Sequence, residues 1–131
     1  RKMLDLSNIN AIKECVDEFR PQIIINAAAY TAVDQAEYEP DLAYQINAVV
    51  PKILSEKATE HNIPLIHFST NYVFDGLKNE PYVETDQANP QSVYGQTKWE
   101  GEEAVRNHKK HIILRTSWVF SVHGQNFLKK Y

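Results

Sequence analysis

Ile23-Ile24-Ile25-Asn26-Ala27-Ala28-Ala29 is the stretch that decides the fold. Three consecutive β-branched residues favour a strand, and an unbroken apolar run is what a strand covered on both faces requires. Small residues follow at once. Their lack of bulk lets backbone approach either a packed helix or a ligand, and the residues alone leave both readings open. Upstream, Ser7 stands where it can cap a helix whose apolar positions Ile9, Ile12, Cys15, Val16 and Phe19 recur at three- and four-residue steps, with Pro21 closing it. Downstream, Leu42, Ile46, Val49, Val50, Ile53, Leu54 and Ala58 trace one stripe of a long helix starting near Asp41. Pro51 sits inside that stripe and should kink or divide the helix, and Asn62 ends it.

Pro64-Leu65-Ile66-His67-Phe68 reads as the next strand, and Ile112-Ile113-Leu114-Arg115-Thr116 as another, with a helix from Val93 to Asn107 between them. Asp75-Gly76 through Pro90 is polar and rich in turn formers, a long loop of the length that usually serves function. Arg1 to Leu6 enters as if in mid-strand, and Gln125 to Tyr131 stops as an amphipathic pattern begins. The alternation of strands and helices predicts an α/β fold, a doubly wound parallel sheet of Rossmann-like type, incomplete at both ends. Residues 1–131 then form one partial domain. Such sheets bind ligands outside the carboxyl ends of their strands, which here means the segments 26–31, 69–75 and 116–120.

Composition narrows the function. The 131 residues are 43% hydrophobic and 24% charged, a globular balance. No apolar run reaches the roughly 20 residues of a membrane-spanning helix. A net charge of −3 gives no electrostatic reason to expect a nucleic-acid partner. Lone Cys15 reads as a buried structural thiol, in keeping with a reducing cytoplasm. His61, His67, His108, His111 and His123 show no metal spacing. His108 and His111 beside Lys109-Lys110 read as a solvated turn, and Glu100, Glu102 and Glu103 as a wet helix face.

The chemistry lies in Tyr94-Gly95-Gln96-Thr97-Lys98. Residues four apart share a helix face, so phenol and ammonium can be neighbours. A nearby cation favours phenolate and draws the tyrosine toward working pH, ready to exchange a proton with a carbonyl or alcohol oxygen. A short motif also matches by chance on an ordinary amphipathic helix. Its context is more specific. Ser69-Thr70 puts hydroxyls at a strand end, and Ala27-Ala28-Ala29 follows another, in matching order on an α/β pattern.

These segments, Asn26 to Asp34, Ser69 to Gly76, Val93 to Lys98 and Leu114 to Phe120, resemble the dTDP-4-dehydrorhamnose reductase family of extended short-chain dehydrogenase/reductases, in matching order and spacing along the chain. The resemblance implies a Rossmann domain that binds NADPH or NADH and a smaller C-terminal domain that helps hold the nucleotide sugar. It implies reduction of the 4-keto group of a dTDP-6-deoxy-hexulose to dTDP-L-rhamnose in the cytoplasm. Under it, Tyr94 is the proton donor, Lys98 lowers the tyrosine pKa and meets the nicotinamide ribose, and Thr70 orients the keto oxygen. Asp5 and Leu6 match the adenine-contacting strand end, Ala28, Ala29, Tyr30 and Thr31 the stretch along the cofactor, and Asn71 and Trp118 the substrate side. The family often forms homodimers, in some members with Mg2+ at the interface, but no metal ligands can be placed in this sequence.

Two departures stand out. Asn71 occupies a position where the family commonly has Asp. The glycine-rich pyrophosphate loop is also absent, as is the residue that selects NADH or NADPH. The chain therefore reads as an internal segment lacking the N-terminal glycine-rich βα unit and the C-terminal substrate domain, inactive by itself. Two other functions share these motifs: a non-catalytic regulatory subunit of this fold, resembling the β subunit of methionine adenosyltransferase, and another nucleotide-sugar epimerase or dehydratase. Arg115-Thr116-Ser117-Trp118-Val119-Phe120 favours the reductase over the epimerase or dehydratase.

Overall fold

The structure, a computed structural model, describes residues 4–130. The opening strand expected over Arg1 to Leu6 falls partly outside them, and residues 4–6 lead by a turn into the first helix. That helix, α1 (Ile9–Phe19), is capped by Asn8, whose Oδ1 accepts the Ala11 N–H at 3.1 Å. Ser7 does not cap it: its N–H and hydroxyl both go to Asp5 Oδ1, at 2.9 and 2.7 Å. Ile12 and Val16 carry the buried face, while Phe19 is 81% exposed and Cys15 only partly covered, so both fall outside the core the periodicity assigned them. Arg20 closes the helix in the left-handed conformation, φ 45°, returning its N–H to Val16 O at 3.0 Å.

Strand β1 (Ile24–Asn26) leads through residues 27–32 to the short helices α2 (Val33–Ala36) and α3 (Pro40–Tyr44). The long helix expected from Asp41 is present but not uniform. A π-helical turn, Gln45–Val49, separates α3 from α4 (Val50–Glu60). Proline lacks the N–H that would return to the carbonyl four residues back, and Pro51 therefore sits at the start of α4, where the wider turn accommodates it. Asn62 ends the segment at φ 56°.

β2 (Leu65–Thr70), a 3-10 turn (Asn71–Val73), the loop 74–92, α5 (Val93–Arg106), β3 (His111–Thr116) and α6 (Phe127–Lys130) complete the order. All three strands are parallel in the order β1-β2-β3, with Asn26 opposite His67 and Thr70 opposite Thr116. Both crossovers step the same way across the sheet, so equal handedness puts α4 and α5 on one face. They pack there against each other and the strands, and α1 lies on α4. The core gathers Ile12, Val50, Leu65, Val105 and their neighbours between these layers. Among the described residues the opposite face stays open. Ile25 is 59% and Ile112 54% exposed, so β1 is not covered on both faces as its apolar run led one to expect.

Candidate active site

A cavity of about 620 Å3 lies at the carboxyl ends of the three strands. One wall is the stretch after β1, with Ala27, Ala29 and Thr31. The floor is the end of β2, with Ser69, Thr70 and Asn71. Tyr94 and Lys98 line it from α5, and Thr116 to Val119 close it after β3. Of the residues singled out from sequence, Ala29, Thr31, Thr70, Asn71, Tyr94, Lys98 and Trp118 therefore meet at one place. Ala28 and Tyr30 alternate away from the cavity: the Ala28 N–H binds Asn26 Oδ1 at 3.3 Å, and the Tyr30 hydroxyl donates to Glu39. Asp5 and Leu6 do not line it. Asp5 organises the turn before α1, and Leu6 packs against the hydrophobic core.

The start of α5 is fixed from several sides. Ser92 Oγ accepts the Gly95 N–H at 3.0 Å, and the Val93 N–H binds Glu37 Oε1 at 2.8 Å. Gly95 answers a close approach. A Cβ there would lie 2.3 Å from the Tyr72 carbonyl, so only hydrogen fits between α5 and the 3-10 turn. Gly101 repeats the arrangement further along, where a Cβ would lie 2.2 Å from the Asn47 carbonyl. The Tyr94 ring meets that of Tyr72 edge-on at 5.5 Å.

Electrostatics place the phenol differently from the sequence expectation. Burial raises the Tyr94 pKa above its ordinary value, and the influence of the Thr70 hydroxyl only partly opposes this. The phenol is thereby held protonated, the form a proton donor needs. Lys98 is 2% exposed and donates from Nζ to the Phe68 carbonyl at 2.7 Å. Burial pulls its pKa down to about 8, against an upward pull from Glu102 one turn along. Burial is the largest influence on Tyr94.

Beneath the cavity lies a buried polar layer that spacing alone concealed. Glu102 is fully buried, not part of a wet face. Arg115 grips it with Nε on Oε1 at 2.9 Å and Nη2 on Oε2 at 2.7 Å, and Arg106 adds a contact at 3.2 Å. Burial would raise the Glu102 pKa, but the hydrogen bonds and charge of Arg115 hold it below the ordinary value. His67 is also fully buried. Its Nδ1 faces Asn26 Nδ2 at 3.1 Å, so the ring accepts there, which leaves its proton on Nε2. Burial pushes its pKa down to about 4. His108 corrects the solvated-turn reading: it is 3% exposed, with Nε2 on the Ile63 carbonyl at 2.7 Å and Nδ1 on Thr59 Oγ1 at 3.0 Å.

Ser117 to Val122 is built otherwise. Trp118 takes φ 53° and is 72% exposed, its ring meeting Phe127 edge-on at 5.0 Å. Elsewhere, Asp17, Glu60 and His61 bring ligand atoms within 4.8 Å of one another. The Lys57 ammonium lies 2.6 Å from Asp17 and 2.7 Å from Glu60, so the cluster is an ion-paired clasp between α1 and α4.

Comparison with known proteins gives the family. The family model described as RmlD substrate binding domain matches residues 1–131. The dTDP-4-dehydrorhamnose reductase of Aggregatibacter actinomycetemcomitans is 49% identical over 127 residues, 96% of this chain and 43% of the relative. A crystal structure of a dTDP-4-dehydrorhamnose reductase from Clostridium acetobutylicum superposes with a TM-score of 0.93 at 45% identity, covering 97% of this chain and 45% of that one. The Bacillus anthracis dTDP-4-dehydrorhamnose reductase, solved in complex with NADP, gives 0.93 at 44% identity over 97% and 46%. The chain thus spans a little under half the length of these relatives.

Proposed function

The chain belongs to the RmlD substrate binding domain family, and from that premise we propose that it carries the proton-transfer centre of a nicotinamide-dependent reductase of a dTDP-4-keto-6-deoxy sugar, giving dTDP-L-rhamnose. The observation that carries this reading is the meeting of Thr70, Tyr94 and Lys98 around one cavity at the strand ends.

The wall after β1 fits a flat cofactor ring, since Ala27 and Ala29 offer only methyl groups opposite Tyr94 and Lys98. The stretch Ala28 to Thr31 and the Lys98 ammonium would hold the cofactor, and the chain at Asp5 and Leu6 would lie on its adenine side. When bound, NADPH or NADH supplies the hydride. Tyr94 gives its phenolic proton to the sugar oxygen as that oxygen gains negative charge. Thr70 hydrogen-bonds the same oxygen and steadies the phenol. Asn71 and Trp118 meet the sugar nucleotide, Asn71 through an amide where a carboxylate is usual. A homodimer in the cytoplasm completes the reading; light scattering on the purified protein tests the dimer.

The test is oxidation of NADPH and of NADH by the full-length protein with the dTDP-4-keto sugar. Wild type should turn over. Tyr94→Phe should lose roughly a hundredfold to ten-thousandfold in kcat with cofactor binding kept, since the proton donor alone is gone. Equal rates for the two proteins would remove Tyr94 from its role. A wild type that binds cofactor but reduces no keto sugar would turn the assignment to a regulatory, binding-only member of the fold.

A further inference from the structure

Tyr94 is the second residue of α5, so the proton donor stands in the first turn of its helix. That turn is where a helix is least held, because its N–H groups have no carbonyl four residues back. Two of those groups flank the tyrosine, and both are taken. Ser92 Oγ accepts the Gly95 N–H from within the same segment, whereas the Val93 N–H goes to Glu37 Oε1 at 2.8 Å, 56 residues away in sequence.

Glu37 belongs to the other side of the cavity. It follows α2, the short helix into which the stretch after β1 runs. Glu39, two residues further, accepts the Tyr30 hydroxyl. One connecting segment thus puts a carboxylate on each wall, Glu39 on the stretch after β1 and Glu37 on the start of α5. Both α2 and α3 also pack on α5. A carboxylate suits the second place, since a helix N-terminus carries partial positive charge and presents unpaired donors.

Resting on the reductase reading above, we propose that Glu37 is a positioning residue: through the Val93 N–H it fixes the first turn of α5, and with it Tyr94, against the cofactor-side wall. Hydride and proton must reach adjacent atoms in one geometry, and small displacements between donor groups cost rate steeply. Ser92 cannot set that geometry, because it moves with the helix it caps. Glu37 does not line the cavity and acts through the backbone alone.

The experiment compares Glu37→Ala, Glu37→Gln, Val93→Pro and the Glu37→Ala/Val93→Pro pair in the full-length protein. Proline separates the tie from simple capping. It suits the first helical position, where no N–H partner is needed, and Ser92 already has the extended backbone, φ −131° and ψ 159°, that a following proline requires. Three quantities are read: kcat, NADPH affinity by fluorescence titration, and hydrogen exchange at the amides of residues 94–96. Glu37→Ala should lower kcat about fivefold, on the scale of a lost helix cap, while NADPH affinity stays within about twofold. Glu37→Gln keeps the acceptor and should hold kcat within about twofold of wild type. Val93→Pro should lower kcat as far as Glu37→Ala does, since the tie is cut although the helix start is sound, and the pair should fall no further. Exchange should quicken in Glu37→Ala but not in Glu37→Gln. Wild-type kcat in Val93→Pro, losses that multiply in the pair, or unaltered kcat and exchange in Glu37→Ala would overturn the proposal. A wild type that reduces no keto sugar sinks the reductase reading instead, and the exchange comparison then decides whether Glu37 anchors the first turn.

Discussion

The cavity has two walls built on opposite principles. Along α5, Tyr94 and Lys98 stand on buried polar groups satisfied from other elements: Glu102 by Arg115, Lys98 by the Phe68 carbonyl, the helix start by Glu37. After β3, Trp118, Val119 and Phe120 are 72%, 70% and 63% exposed, and the segment's side-chain hydrogen bonds, from Asn126 and Lys129, are local. Proton chemistry demands fixed distances, which a buried network supplies at the expense of desolvation. Recognition of a bulky ligand demands surface that contacts it, which exposed aromatics supply. The first wall should therefore fail through stability and rate, the second through affinity.

The sharpest way to break this contrast is Glu102→Ala. It strands the Arg115 guanidinium in a buried site, and removing one partner of such a pair costs about 3–5 kcal/mol. Chemical denaturation should show that loss. A change under 1 kcal/mol would mean the layer beneath α5 is not what steadies it. Acid sensitivity comes next. The His67 ring stays neutral in the fold down to about pH 4, whereas the unfolded chain takes up the proton near pH 6.5. Between those values the unfolded state binds more protons, so stability falls as pH drops from 6.5 toward 4, by up to ~3 kcal/mol. His67→Gln should flatten that part of the curve, and an unchanged slope there would assign it to other groups. Smallest in stability is Trp118→Ala on the open wall. Its unfolding free energy should move by less than about 0.5 kcal/mol while the KM for sugar nucleotide rises. A stability loss as large as that of Glu102→Ala would erase the distinction between the walls.

How much of this was legible in the sequence follows from the same distinction. Parallel α/β architecture, the two long helices and the strand ends could be read because apolar periodicity is a local signal. Tyr94, Lys98 and Thr70 were found because a helix face and a strand end fix where they point. Glu102 was misread because its partner lies 13 residues away on another element, and three glutamates on a helix look alike from spacing. His67 and Asn47 have partners 41 and 50 residues distant, beyond any window of periodicity. The direction of the Tyr94 shift was missed for a related reason. Four-residue spacing shows that Lys98 shares its face, but not that the ammonium is committed to Phe68. The cap moved from Ser7 to Asn8 because Asp5 competes for the hydroxyl.

Gly95 and Gly101 leave α5 resting on the Tyr72 and Asn47 carbonyls with no side chain between. Side-chain contacts relax by changing rotamer, and that freedom lets most packed helices drift by small amounts when neighbours change. Backbone against backbone has no rotamers to exchange. The height of the tyrosine above the sheet is thus set by covalent geometry at two bearing points, a hard stop in place of a cushion. Substitutions elsewhere in the core can be absorbed without moving it, whereas a single methyl at either bearing has nowhere to go.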